Sequence, residues 1–482
     1  MTDDLSIASG SVRDDANRRR ALLIVRLLVG VFLVYLLLDL VRPRRQPDEP
    51  VLAVLRQLKL SDSLGQTLSI PPRLLAAVAV GIVTGLILQA LAANARFAGG
   101  RRAAVLTWAT MAAMLGPFAL VSLVMLIVFG SSFPVVVACA ASSAFVLWLL
   151  HHCQGFARLP VRMLLAAFGW GALIVFGLSR VYNAMALGVI DGYLGTPSEL
   201  DMLVVHMGVA VGVVTAAGVL LSLIVFRHRV TDAVSGLVLG AAIGLGYNFT
   251  ESVPLIQVYG LLSWVTGATG GFQYWIRQSI GLLGGHVTFC ALLGAAVGLA
   301  VQTRGRGRRV LIVGAGLLAA AGGSAAHEIL PAWFSQLARR SLPTGGPLDT
   351  LVVSPALWLA VQVPFFVLVL ALLRAGVRAR AAAAREAVAA EAVASDAITA
   401  REVPFLVDPA LRLWAVVSTW RGYGRDAALA LRRVQTAQLD LAAWHWQHRR
   451  SGRDEGASEG ERLRAKVIRL KTRTATGPAV TP

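Results

Sequence analysis

The sequence predicts an all-α protein, a polytopic membrane helical bundle of about ten transmembrane helices followed by a cytoplasmic helical tail. Three observations predict it. Of 482 residues, 56% are hydrophobic and only 15% are charged, with a mean hydropathy of +0.68 that a soluble domain does not sustain. Apolar runs of about 20 residues recur along the chain, each long enough to cross a hydrocarbon core of about 30 Å. Beyond Leu373 the composition turns to Ala, Arg and Glu, a strongly helix-forming mixture that no longer suits lipid.

The spans read as 21–41, 73–93, 104–129, 134–150, 163–179, 203–226, 233–252, 282–302, 310–330 and 352–374. The first follows Arg18-Arg19-Arg20 but is too long for a signal peptide. No small-residue cleavage site precedes "RPRRQ", so it is expected to stay as an uncleaved span. With the N-terminus inside, the basic clusters "RRR", "ARFAGGRR", "ARLPVR", "RHR", "TRGRGRR" and "RAGVRARAAAAR" all fall on the cytoplasmic side. The positive-inside rule therefore selects N-in and C-in, with the basic loop 42–72 as the one exception. This organisation gives a cytoplasmic N-terminus (1–20), N-terminal helices (21–179), a second membrane core (203–374), a cytoplasmic helical tail (375–450) and a disordered C-terminus (451–482).

The formal charge of +19 lies in short clusters between spans, which excludes a nucleic-acid-binding face and marks topology instead. Cys139, Cys153 and Cys290 share no spacing that would make a disulfide framework or a thiolate metal site. In the tail, "DAALALRRVQTAQLDLAAWHWQHRR" sets Leu431, Val434, Leu441 and Trp444 at helical spacings, a face for the membrane surface or for the spans. His445 and His448 are an i, i+3 pair on that segment and read as part of a solvated face. His151 and His152 stand at a span boundary and read as interfacial.

Ionisable groups within spans are costly, about 2.5–3.5 kcal/mol each by insertion scales, so those present need a reason. Glu251 lies 22 residues beyond Arg229 and His206 lies 21 before Arg227; His286 lies 18 before Arg304 and His327 lies 18 beyond Arg309. At 1.5 Å per residue these are all roughly 27–33 Å, so four groups on four consecutive spans share one depth near the outer edge of the hydrocarbon. Gly236, Gly240 and Gly244, with Gly294 and Gly298 after His286, form small-xxx-small faces on which helix backbones approach closely. Two imidazoles and a carboxylate at one depth suit a zinc ion with an open water position. They also suit activation of water without a metal. Familiar hydrolase signatures are absent: "HEILP" has Pro331 where H-E-x-x-H needs its second histidine, "GGSAAH" lacks the glycine of a nucleophile elbow, and no intramembrane aspartate pair occurs.

The segment "SGLVLGAAIGLGYNFTES" resembles the G-x-G-F-A-x-x-E-N motif of the PrsW family of bacterial intramembrane proteases. "RQSIGLLGGHVTFCALLGAAVG" resembles the family's R…H-x-x-x-T-x-x-x-G motif through Arg277, His286 and a slightly displaced Gly294, and "HEILPAW" stands where the family has a last H-x-x-x-N. "ALRRVQTAQLDLAAWHWQHRR" is similar to the tail helix of actinobacterial members, so the likeness covers about 200–450. The resemblance implies proteolysis of membrane proteins, with anti-sigma factors as the best-known substrates, and Glu251, His286 and His327 as active-site groups and metal ligands. The family's E-E-x-x-K motif is missing near 203–210, where Glu199, Asp201 and His206 are the polar groups. Glu199 and His206 are therefore the candidate catalytic partners of Glu251. Ser252 replaces the asparagine after Glu251, and Pro331 the final one. Two other classes stay open. One is a non-cleaving relative that binds membrane partners in the same cavity. The other is a transporter, against which stand the absence of charges at mid-bilayer and of an inverted repeat.

Overall fold

The computed structural model describes residues 22–23, 25–34, 37–38, 41, 72–93, 100–129, 133–154, 156–182, 212–225, 230–261, 270–338, 346–451 and 457–475. Every regular element among them is helical. Two compact units divide the chain: a membrane unit within residues 7–151 and 160–372, and a second unit built mainly from 152–159 and 373–482.

The membrane unit contains α1 (Val25–Val34), α2 (Pro72–Ala93), α3 (Gly100–Phe129), α4 (Phe133–His152) and α5 (Val161–Tyr182). After these come α6 (Gly212–Val225), α7 (Ala233–Leu261), α8 (Gly270–Tyr274, continued by a wider turn over Trp275–Ile280), α9 (Gly285–Gln302) and α10 (Arg306–Ala338). The last is α11 (Ser354–Ala394), whose residues from Leu373 onward belong to the second unit. Seven described helices are long and apolar enough to cross a membrane. Three shorter apolar ones, Val25–Val34, Ala77–Leu91 and Thr215–Val225, fall in three further expected spans. A core of Val25, Phe32, Val78, Met111, Phe118, Leu178 and Leu221 joins α1, α2, α3, α5 and α6.

Three expectations are corrected. First, α7 does not end near residue 252 but runs to Leu261 through Pro254. Val253 and Ile256 are buried with Cys139, so packing carries the helix past the proline. Second, the stretch between the spans expected at 233–252 and 282–302 is not all connection, because residues 270–280 are helical. The Tyr274 hydroxyl donates to the Ala138 carbonyl (3.4 Å) and Ser142 donates to Gln278 (2.9 Å), which tie α8 to α4. Third, the C-terminus expected to be disordered holds α14 (Ala457–Ala475). Its high charge conceals Leu463, Val467 and Leu470 at helical spacing, which pack on Ala397, Ala437 and Leu441.

The second unit also contains α12 (Val403–Val407) and α13 (Pro409–Ser451), the latter broken by Gly424 at φ +83°. Arg380 is buried and donates to the carbonyls of Gln154 (3.1 Å) and Phe156 (3.0 Å), while Phe156 packs in a cluster with Val388, Ile398 and Leu406. Glu391 is fully buried. It accepts hydrogen bonds from Arg464 (2.6 and 3.2 Å) and Ser395 (2.7 Å), and pairs with His445 Nδ1 (2.9 Å).

Candidate active site

The site depends on how closely α7 and α9 pack. Asp232 caps α7: its side chain accepts from the Ser235 amide (2.8 Å), and the Ser235 hydroxyl accepts from the Asp232 amide (3.1 Å). From there α7 lies antiparallel against α9, backbone to backbone. A Cβ on Gly236 would fall 2.0 Å from the Gly294 carbonyl oxygen, one on Gly240 2.1 Å from that of Cys290, and one on Gly244 2.3 Å from that of His286. Only glycine fits at these crossings, and the last of them sets the register between Glu251 and His286, two turns further along α7.

At that level Glu251 and His286 are both buried, and Glu251 Oε2 lies 3.2 Å from His286 Nε2. Arg180, in the last turn of α5, donates to Glu251 Oε1 (3.2 Å), and Arg277, in the wide turn of α8, lies 3.6 Å from Oε2. The His286 ring rests on Tyr247 (centroids 4.3 Å apart), whose hydroxyl is 3.0 Å from Ser179 Oγ.

His327 comes from α10 and is held from α11. Gln362 Oε1 accepts the Gly285 amide hydrogen (3.1 Å), and Gln362 Nε2 lies 3.0 Å from His327 Nδ1. A backbone N–H can only donate, so Oε1 must face Gly285 and the amide nitrogen must donate to Nδ1. In the neutral ring the hydrogen therefore sits on Nε2, the atom that faces Gly285. Gly285 itself opens α9 at φ +49°, a conformation that suits glycine. Trp358 packs edge-on to His327 (5.1 Å).

These groups line one cleft, with Asn248, Glu251, Arg277, His286, His327, Trp358 and Gln362 in its wall. The structure thus brings Glu251 and His286 into contact and sets His327 in the same cleft. Glu199 and His206 lie outside the described residues. Arg180, Asn248 and Gln362 were missed from sequence. Gln362 interrupts the span expected at 352–374 and could have been flagged on that ground, whereas Arg180 stands just past the one expected at 163–179.

The zinc set expected from Glu251, His286 and His327 does not fit as arranged. Among the described residues no three His, Cys, Asp or Glu side chains are grouped to hold an ion. Both oxygens of Glu251 are already engaged by two guanidiniums and an imidazole. Metal-bound histidine usually donates its second ring N–H to a partner, whereas His327 Nδ1 accepts. What the cleft does hold is a carboxylate–imidazole pair, a second imidazole with an N–H, and cationic donors, which is equipment for acid–base chemistry.

Residues 159–371 match a family described as PrsW family intramembrane metalloprotease. No curated protein and no solved structure matches the chain.

Proposed function

We propose, from the match of residues 159–371 to the family described as PrsW family intramembrane metalloprotease, that this membrane protein hydrolyses peptide bonds of membrane-protein substrates in the cleft shared by Glu251, His286 and His327. The observation that carries the proposal is the 3.2 Å contact between Glu251 and His286 inside a cleft that also receives His327. On this reading the Glu251–His286 pair takes the proton of an attacking water. Arg277, which lines the cleft, favours the negative charge that develops on the carbonyl oxygen. The proton taken from water then passes from the Glu251–His286 pair to the leaving amine, while His327, with its hydrogen on Nε2, donates a hydrogen bond to the developing oxyanion. No step is assigned to zinc, since the described groups do not form its ligand set. Glu199 and His206 are proposed as further catalytic groups on sequence grounds alone.

The same reading takes both termini as cytoplasmic from the distribution of arginines, and places cleavage near the outer face. It takes anti-sigma-factor-like membrane proteins as the substrate class, from the family resemblance. A second reading, a partner-binding relative that does not cut, is favoured by one observation: Glu251 is already neutralised by Arg180 and Arg277. The deciding experiment incubates the purified full chain in lipid nanodiscs with single-span membrane proteins and follows cleavage by mass spectrometry. Cleavage lost in both Glu251→Gln and His286→Ala supports the protease. Stable capture of a substrate without cleavage, unchanged by those substitutions, supports the binder and sinks the protease.

A further inference from the structure

The first part of α13 is a helix in its own right. Asp408 caps it, with Oδ1 accepting from the amides of Ala410 (2.7 Å) and Leu411 (3.3 Å). Gly424, at φ +83° and ψ 179°, ends it. Between them lies "PALRLWAVVSTWRGY", residues 409–423, with two arginines and no acidic residue.

Leu413, Val416, Val417, Trp420 and Tyr423 recur at i, i+3, i+4, i+7 and i+10 and so form one stripe. That stripe is not a core: Leu413 is 65% exposed, Trp420 58% and Tyr423 52%. Arg412 falls along one edge of the stripe and Arg421 along the other, with Arg425 just past the break. An aliphatic and aromatic stripe edged on both sides by arginine matches a bilayer interface. There the rings sit at headgroup depth and the guanidiniums reach anionic headgroups. The occupant is already at hand, because the same chain carries seven helices long and apolar enough to cross a membrane.

We infer that residues 409–423 form an interfacial helix that lies in the surface of an anionic bilayer, with Leu413, Val416, Val417, Trp420 and Tyr423 at the acyl boundary and Arg421 on lipid headgroups, while Arg412 at the other edge also donates to the Leu406 carbonyl (3.1 Å). This surface lies outside 159–371 and does not depend on the protease reading. The break at Gly424 separates this helix from the rest of α13, which packs on α12 and α14 through Leu439, Leu441 and Ala442.

The test uses the full-length protein in nanodiscs, with Cys139, Cys153 and Cys290 replaced by Ala and one new cysteine bearing an environment-sensitive fluorophore, Leu413→Cys on the stripe or Ser418→Cys opposite. The expected result is several-fold stronger quenching by brominated lipid at 413 than at 418. It should weaken when phosphatidylglycerol is replaced by phosphatidylcholine, and in Arg421→Glu. Equal water exposure at the two positions overturns the inference. So does a shielded label at 413 that brominated lipid does not quench, since protein then covers the stripe. Trp420→Ser serves as a second variant with the same expected loss, should Arg421→Glu fail to fold.

Discussion

Gln362 holds His327 from α11, its amide nitrogen 3.0 Å from Nδ1 while its oxygen accepts from Gly285 on α9. One side chain thus orients an imidazole and ties it to the first residue of the helix that carries His286. Gln362→Leu removes both hydrogen bonds, frees the His327 ring and leaves the Gly285 amide unpaired. Proteolysis should fall, by about 10- to 100-fold if the loss matches that for partners that orient metal-bound histidines. Gln362→Glu, which keeps the acceptor for Gly285 but presents oxygen to Nδ1, should move the ring hydrogen to Nδ1. The readout is turnover together with the histidine nitrogen shifts in NMR. Unchanged shifts in Gln362→Glu would refute the assignment.

Glu251→Gln keeps the shape of the side chain and removes its charge. On the proposed mechanism turnover drops by about 10²–10⁴, the range attributed to a positioned acid or base. Arg180 and Arg277 then face each other across a neutral amide, so the fold should also lose stability. Thermal unfolding in detergent separates the two effects. A variant that melts earlier yet cuts at the wild-type rate would make Glu251 a structural ion-pair partner.

The crossing of α7 and α9 gives a sharper test of packing. A methyl group on Gly240 would sit 2.1 Å from the Cys290 carbonyl, and the contact is backbone, which cannot swing aside. Gly240→Ala should cost about 1–3 kcal/mol by overpacking, and Gly240→Val more, with activity lost because the helices separate and the Glu251–His286 register slips. By contrast Gly314, which has nothing within 4 Å of an added Cβ, should accept Ala without loss of fold or activity. A Gly240→Ala protein as stable as the parent would show that the helices have room to shift.

Much of this architecture is legible in the sequence, and for physical reasons. The spans follow from length and hydropathy. The shared depth of Glu251, His286 and His327 follows from counting residues to basic markers, and the α7–α9 contact from glycines four apart. What could not be read is which neighbours close the cleft. Arg180 and Gln362 reach Glu251 and His327 across 71 and 35 residues of chain, and no local pattern encodes such partners. The histidine tautomer was invisible for the same reason, since it depends on a side chain from another helix. α14 was hidden differently: three apolar residues carry its packing, and its charge average outweighed them.

The second unit should respond to acid through Glu391. This carboxylate is buried, which pushes its pKa up, but hydrogen bonds from Arg464, Ser395 and His445 outweigh burial and hold it below the ordinary glutamate value. A folded pKa below the unfolded one, about 4.3 for a free glutamate, means the unfolded unit binds more protons, so stability rises with pH. The contribution is complete above the unfolded value and disappears as pH falls through the folded one. Since Arg464 lies on α14, the helix should stay protected from protease near neutral pH and become cleavable once the medium is more acid than about pH 4. Arg464→Met leaves Glu391 buried with less compensation. Arg464 is itself about one-third exposed, so the loss should be about 1–3 kcal/mol. Glu391→Gln should flatten the acid transition. Limited proteolysis across pH on the three proteins reads all of this, and an unshifted acid transition in Glu391→Gln would assign the effect to another group, with His445 at 2.9 Å the neighbour to exchange next.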